Sequence, residues 1–382
     1  MHPFTFILFG STGDLAQKKI MPALFKLYCR NALPAEFSII AFSRRGWTDE
    51  DYHSFIKPSL EKIDSEAKRD VFLKHITYIE GQFQEVSAYE KIKHKVTNPA
   101  FFYLAVQPEF YERILEGLSQ AQLLADPTSK IMVEKPFGHD EQSASLLKLH
   151  FEKNIKPEQV LLVDHYLAKE GLQVFKKDFD GSTIKSLHIR LFEKIGIEGR
   201  GDFYDHVGAL LDVGQNHLME LLATALLDTK NLGNSDTRTK TIASLSVVKE
   251  SIFGQYEDYT KEPEVAADSQ TDTYFKLFLE SNLEKWLGVS LILESGKSMA
   301  EKRADITCTF SDGSEKIFDI QQSTSGSDAY EILIENALLG NREYAVGINE
   351  VLSSWHVLEP VLENRAKIAV KKYPSGTNGP HI

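Results

Sequence analysis

The chain opens on an apolar run, Phe4-Thr5-Phe6-Ile7-Leu8-Phe9, closed by Gly10-Ser11-Thr12-Gly13-Asp14, after which Leu15, Ile20, Leu24 and Leu27 recur at helical spacing. A β-rich run, a glycine-marked turn and a 3.6-residue period predict strand, tight turn and helix. Further short apolar runs follow at Phe37–Phe42, Ile76–Ile79, Ala100–Val106, Ile131–Val133 and Val160–Val163. The stretches between them, such as Glu109–Gln122 and Glu141–Phe151, are long enough for crossover helices. Strands alternating with helices predict a doubly wound α/β domain over residues 1–164.

Beyond Asp164 the rhythm changes. A helical stretch runs to about Phe179, a strand spans Ile184–Glu193, and an apolar-striped helix covers Leu210–Leu227. Strand-like alternations then follow at Ser244–Phe253, Tyr274–Leu279, Val289–Leu293, Ile306–Phe310 and Lys316–Ile320. Successive strands without intervening helices predict an α+β domain over residues 165–382, built on a large antiparallel or mixed sheet with helices on one face. The polar, Gly/Pro-marked stretches Asn231–Lys240 and Tyr256–Asp272 read as loops.

Composition narrows the function classes. Lys plus Arg total 43 against 55 Asp plus Glu, a net charge of −12 that repels a phosphate backbone and speaks against nucleic-acid binding. The first apolar run is too short to span a membrane and lacks the basic flank of a secretion signal. Cys29 and Cys308 have neither a disulfide framework nor metal-ligand spacing, so a reducing cytoplasm is expected, with no metal, membrane or nucleic acid as partner.

The turn Gly10-Ser11-Thr12-Gly13, continuing through Asp14 and Leu15, joins strand to helix, where glycines admit a close backbone approach and helix N–H groups face an anion. It is a candidate pyrophosphate cradle, although it is not a full G-x-G-x-x-G. The second strand ends in Ser43-Arg44-Arg45 rather than in the acidic residue that would hold a ribose 2′-hydroxyl. Permanently charged, bidentate guanidinium groups suit a 2′-phosphate, so NADP is expected ahead of NAD. Lys135 follows the strand Ile131–Val133 at its carboxyl end, the edge where open α/β sheets bind ligands, and Pro136 behind it is a candidate cis bond or a plain strand end. Asp164-His165-Tyr166-Leu167-Ala168-Lys169 ends another strand and opens a helix, and the donors His165, Tyr166 and Lys169 suit a phosphomonoester. His217 lies in an apolar-striped helix and reads either as a core histidine or, if a carboxylate orients it, as a base for a hydroxyl proton.

Taken together, GSTGDLAQKKI (Gly10–Ile20), EKPFG (Glu134–Gly138), DHYLAKE (Asp164–Glu170), EGRG (Glu198–Gly201), DVGQNH (Asp212–His217), SGK (Ser295–Lys297) and YPSGTNGP (Tyr373–Pro380) resemble the glucose-6-phosphate 1-dehydrogenase family along nearly the whole chain. The resemblance implies a Rossmann-type coenzyme domain joined to an α+β domain. It also implies NADP-linked oxidation of the C1 hydroxyl of β-D-glucose 6-phosphate to the lactone, the opening step of the pentose phosphate pathway. On that basis His217 is the base and Asp164 its carboxylate partner. His165, Tyr166 and Lys169 become the phosphate clamp, and Lys135, Glu193, Asp212, Lys297 and Lys302 hold the sugar or frame the site. Arg44 matches the 2′-phosphate contact, and Lys19 stands where the family keeps a lysine near the substrate.

Three departures accompany the likeness. The chain is short for the family, with the shortening expected around Lys230–Asp272 and Ser311–Asp328, in the domain that carries the family's subunit interface; a homodimer is therefore only a family-based expectation. Ala168 replaces a glycine, and Glu294 replaces an arginine before Ser295-Gly296-Lys297, where a negative charge would either repel an anionic substrate or pair with a lysine. The alternatives are a dehydrogenase of another aldose phosphate, such as an amino sugar phosphate, and a non-catalytic regulatory paralogue.

Overall fold

The computed structural model describes residues 2–178, 184–322 and 326–381. The chain divides into two units: residues 1–168 with 326–348, and residues 169–325 with 349–382.

In the first unit the six apolar runs become parallel strands, β1 (Phe4–Phe9), β2 (Phe37–Ser43), β3 (Ile76–Glu80), β4 (Ala100–Leu104), β5 (Lys130–Glu134) and β6 (Val160–Val163). They lie in the order β6-β5-β4-β1-β2-β3, with Phe4 opposite Phe37 and Thr5 opposite Ala100. Strand order therefore reverses at β1, the switch point outside whose carboxyl end an open α/β sheet holds its ligand. Every residue of β1 is buried, as expected of a strand covered on both faces. The expected crossover helices form at Tyr111–Gln120 and Glu141–Asn154, the latter started by a reciprocal Asp140–Ser143 capping box.

Residues 326–348, expected in the second domain, belong instead to the first unit. Their helix, Ala329–Leu338, starts on an Asp328–Glu331 capping box and places Leu333, Ile334 and Ala337 in the core that holds Ile20, Leu24 and Leu27. Lys26 Nζ meets Glu331 Oε1 at 2.7 Å, and the short strand Ala345–Val346 pairs antiparallel with β6. The buried face of this helix is complementary to a helix some 300 residues earlier in the chain, a pairing to which local periodicity is blind.

The second unit carries β7 (Ile184–Phe192), β8 (Leu245–Val247), β9 (Ile252–Tyr256), β10 (Tyr274–Ser281), β11 (Ser290–Gly296), β12 (Arg303–Phe310) and β13 (Glu315–Asp319). The sheet order is β13-β12-β7-β11-β10-β9 followed by Lys371–Tyr373, with β8 also on β10. It is mixed: β7 runs parallel to β11 and antiparallel to β12. The single strand expected at Ser244–Phe253 is two, both pairing with β10. The helix expected to reach about Phe179 is Glu170–Asp178, and residue 179 lies outside the described residues.

Asn231–Lys240, read as a loop, is largely helix: Asn234 caps Ser235–Ala243. Its buried contact is an ion pair, Arg238 Nε to Glu350 Oε2 at 2.7 Å, with side chains 1% and 0% exposed. A helix held by a charge pair shows no apolar stripe, which is why the hydrophobic pattern missed it. Glu350 belongs to a second helix that the pattern missed, Ile348–Asn364. Past Tyr256, the last residue of β9, the stretch to Asp272 is irregular apart from the short turn Tyr259–Lys261, and Asp205 fastens it by accepting from Tyr259 Oη and the Ala266 amide.

Candidate active site

In the first unit, Gly10 (φ +75°) turns the chain off β1, and a Cβ there would stand 2.3 Å from the Ala105 carbonyl oxygen. Only glycine fits. The Gly10 and Ser11 amides both donate to Phe42 O, and Thr12 Oγ1 lies 2.8 Å from Ser43 Oγ, so the turn is tied to the end of β2. The Ser11 hydroxyl is buried with no partner among the described residues, and a helix begins just beyond the turn, the end at which amides lack intrahelical acceptors. A glycine cradle, an orphan hydroxyl and a helix N-terminus at the switch point fit a dinucleotide pyrophosphate. Leu15 packs on the core beneath, Asp14 pairs with Lys18 at 2.8 Å, and Lys19 Nζ stands 3.7 Å from Asp328 Oδ2.

Arg44 and Arg45 are exposed just past β2, and among the described residues no carboxylate lies within ion-pair distance of either. The Arg44 guanidinium lies 5.8 Å from the Phe110 ring centroid and that of Arg45 4.9 Å from Trp47, an arrangement that steadies each cation and leaves its hydrogen-bonding edge to solvent.

At the carboxyl ends of β5 and β6, Lys135 Nζ lies 2.9 Å from Asp164 Oδ2, with side chains 6% and 0% exposed, while Asp164 Oδ1 accepts from the Tyr166 amide. The Lys135–Pro136 bond is cis. The His165 and Tyr166 rings lie 4.6 Å apart and both are half-buried. Beside them is a group that motif reading passed over: Tyr103 Oη donates to Glu134 Oε1, and Tyr330 flanks the same carboxyl. Burial pushes the Glu134 pKa up to about 7; Asp164 adds to the rise, while the two tyrosine hydroxyls and Lys135 oppose it.

In the second unit, Lys169 is half-buried just ahead of the helix Glu170–Asp178, and its carbonyl accepts from the Leu172 amide. His217 stands on a stretch, Leu210–Leu218, wound in wide i→i+5 turns before Met219–Leu226 returns to α-helix. Asp272 starts that stretch by accepting from the Ala209 and Leu210 amides. Asn216 Nδ2 donates to the carbonyls of Leu211 and Asp212, satisfying groups that wide turns leave poorly bonded. Gln215 and Ser354 exchange hydrogen bonds on the buried side. His217 is half-buried whereas Leu218, Leu221 and Leu222 are fully enclosed, so it is not a core histidine on the apolar stripe.

Lys297 Nζ meets Glu193 Oε1 at 2.9 Å and Asp212 Oδ2 at 3.7 Å, with the Tyr204 ring centroid 5.2 Å away. Two of the quoted motifs, DVGQNH and SGK, thus meet here beside Glu193, and a third holds the backbone: Tyr373 Oη donates to Lys297 O, and the Gly376 amide donates to Ser298 O. Tyr204, buried with its hydroxyl unpartnered among the described residues, was not singled out from the sequence. Lys302 is exposed at the start of β12.

Residues 7–174 match the family described as glucose-6-phosphate dehydrogenase, NAD binding domain, and residues 169–327 and 319–382 match glucose-6-phosphate dehydrogenase, C-terminal domain. This chain belongs to the glucose-6-phosphate dehydrogenase family. It is 28% identical to the glucose-6-phosphate 1-dehydrogenase of Borreliella burgdorferi, over 99% of this chain and 95% of that one. It is also 28% identical to that of Cyberlindnera jadinii, over 98% and 92%. Among solved structures it resembles the Mycobacterium avium enzyme (TM-score 0.87, 28% identity, 98% and 95% covered). It likewise resembles a glucose-6-phosphate dehydrogenase in complex with its substrate glucose-6-phosphate (TM-score 0.91, 26% identity, 98% and 95% covered). The chain is thus an oxidoreductase with a nicotinamide-coenzyme domain. The Borreliella alignment runs over 455 positions against the 382 residues here, so that relative has residues this chain lacks.

Family membership sharpens one departure. Glu294 pairs with a lysine, the second of the two expectations, and that lysine is Lys276, 3.4 Å away; the carboxyl also stands 2.7 Å from His188 Nε2 and accepts from Tyr274 Oη at 2.6 Å. Burial raises its pKa, but these three partners outweigh burial and hold the carboxyl below its ordinary value. Its charge is spent within the sheet, which removes the motive for an amino sugar substrate.

Proposed function

We propose that the chain oxidises β-D-glucose 6-phosphate at C1 to the 6-phosphogluconolactone with NADP as coenzyme, the opening step of the pentose phosphate pathway. The observation that carries this reading is the buried Lys135–Asp164 pair, held with His165 and Tyr166 at the carboxyl edge of a sheet whose switch point bears the glycine cradle. Burying an ammonium and a carboxylate is expensive, and a pair kept beside a ligand edge points to chemistry rather than stability.

In this reading His217 takes the C1 hydroxyl proton on an imidazole nitrogen, and Asp164 stabilises the imidazolium that forms. Losing that proton raises the donor power of the C1–H bond, and the nicotinamide, when bound, accepts the hydride. His165, Tyr166 and Lys169 hold the phosphate. Lys135, Lys297, Glu193, Asp212, Lys302 and Lys19 orient the sugar or frame the site. The preference for NADP rests on Arg44 and Arg45, two exposed cations where a ribose-binding acid would stand.

The two cysteines are free thiols and among the described residues no helix is long and apolar enough to cross a membrane; a cytoplasmic location is our reading from the thiols. A homodimer belongs to the same family-based reading. The test is direct: the chain is supplied with glucose 6-phosphate and NADP or NAD, and reduced-nicotinamide absorbance is followed. Turnover faster with NADP supports the proposal. No turnover of glucose 6-phosphate with either coenzyme overturns it, and turnover preferring NAD overturns the coenzyme assignment.

A further inference from the structure

The helix Gly201–Ala209 breaks at Gly208 (φ +71°, ψ 171°), and the wide-turned stretch that carries Asp212 and His217 restarts beyond it. The restart is held from outside the stretch. Asp272, buried just ahead of β10, accepts from the Ala209 amide on its carbonyl at 2.8 Å and from the Leu210 amide on Oδ2 at 2.9 Å. A carboxylate there satisfies a first-turn amide and complements the helix dipole. Gly208 leaves it room, since a Cβ at that position would lie 3.0 Å from Asp272 Oδ1.

Asp272 is in turn aimed by Arg365, which follows the helix Ile348–Asn364. Arg365 Nε donates to Asp272 Oδ1 at 2.9 Å, while its other nitrogens donate to Gln270 O and Ile368 O, and the guanidinium lies 4.2 Å from the Phe253 ring centroid. One oxygen of the carboxyl takes the guanidinium and the other takes the Leu210 amide, so the carboxyl cannot rotate without breaking both bonds. The next residue, Thr273, accepts from the Lys297 amide at 2.9 Å, so the same corner of the chain also fixes Lys297. Leu210, Leu211 and Leu362 line a cavity of about 590 Å³ beside this corner. On that side close packing does not set where the stretch begins, and the hydrogen bonds do.

We infer that Asp272, aimed by Arg365, is a positioning residue for His217 and Asp212. A helical stretch is stiff, so a slip at Leu210 passes along it, and a misplacement of about 1 Å can cost about a hundredfold in rate. This rests on His217 being the base, as proposed above.

Steady-state kinetics of the full chain test it, with each rate divided by the folded fraction read from circular dichroism at the assay temperature. Asp272→Ala should lower kcat about tenfold, with the KM for NADP within about twofold of wild type because the glycine cradle lies in the other unit. Arg365→Met should lower kcat less, about fivefold, and Arg365→Lys should recover most of that loss. The double variant of Asp272→Ala with Arg365→Met should be no slower than Asp272→Ala alone, because Arg365 acts only through Asp272. His217→Asn separates this inference from the reading beneath it. If His217→Asn keeps the wild-type kcat, the base assignment fails and the inference falls with it. If His217→Asn abolishes turnover while Asp272→Ala and Arg365→Met leave kcat per folded chain unchanged, the inference alone is overturned. Losses that multiply in the double variant also overturn it, since each side chain then acts by itself. Should Asp272→Ala not fold, Arg365→Met and Arg365→Lys decide by the same criterion: a loss of kcat per folded chain restored by lysine supports the inference, and no loss overturns it.

Discussion

Replacing Glu134 by glutamine removes a partly buried carboxyl without removing its shape. In wild type its pKa rises from 4.5 to about 7, chiefly because burial disfavours the charged form. Between those two values the folded protein keeps a proton that the unfolded chain has released, so stability falls as pH rises through this window. At 1.36 kcal/mol for each pH unit, the loss is about 3 kcal/mol and is complete just above pH 7. Glutamine never ionises and its Oε1 still accepts from Tyr103. The stability of Glu134→Gln relative to wild type should therefore be near zero at pH 4.5 and climb to about 3 kcal/mol in its favour by pH 8. Urea unfolding followed by circular dichroism at half-unit pH steps reads this difference. A difference that is constant across the range would refute the reasoning, because only a titrating group gives a slope.

The remaining predictions concern the site and its frame. His217→Asn should lower kcat by several orders of magnitude with little change in KM, while Lys169→Ala should mainly raise KM for glucose 6-phosphate; the first loss belongs to the transition state and the second to uniform binding, so mild and equal effects would contradict both roles. Arg44→Ala should raise KM for NADP far more than for NAD, and an unchanged ratio of the two would remove the 2′-phosphate assignment. Glu350→Ala strands the buried Arg238 guanidinium and should destabilise the chain by about 3–5 kcal/mol in denaturant titration, with the double change Arg238→Met and Glu350→Leu recovering most of it. If the single variant is as stable as wild type, the pair does not hold the helix Ser235–Ala243 in place.

How legible each part was follows from what kind of contact makes it. The six strands of the first unit are buried over most of their residues, so they print themselves as apolar runs, and the glycine turn after β1 is visible because its φ excludes every other residue. His165, Tyr166 and Lys135 stand at strand ends, where a motif and a local turn coincide. Arg238 and Ser235–Ala243 were invisible for the opposite reason: the buried group is charged, and its partner Glu350 lies 112 positions away. Tyr330 carried no local signal, since its place beside Glu134 depends on a helix returning to a sheet formed long before it in the chain.

The amino-acid order alone determined the alternation of elements, the glycine cradle, the basic end of β2 and the family likeness, because each is written in neighbouring residues. Only the tertiary structure decided which unit receives residues 326–348, that Glu294 pairs with Lys276 beside His188 and Tyr274, and that Lys297 gathers Glu193 and Asp212. These depend on strands and helices far apart in sequence being brought within about 4 Å, the range over which a charge or a hydrogen bond chooses its partner.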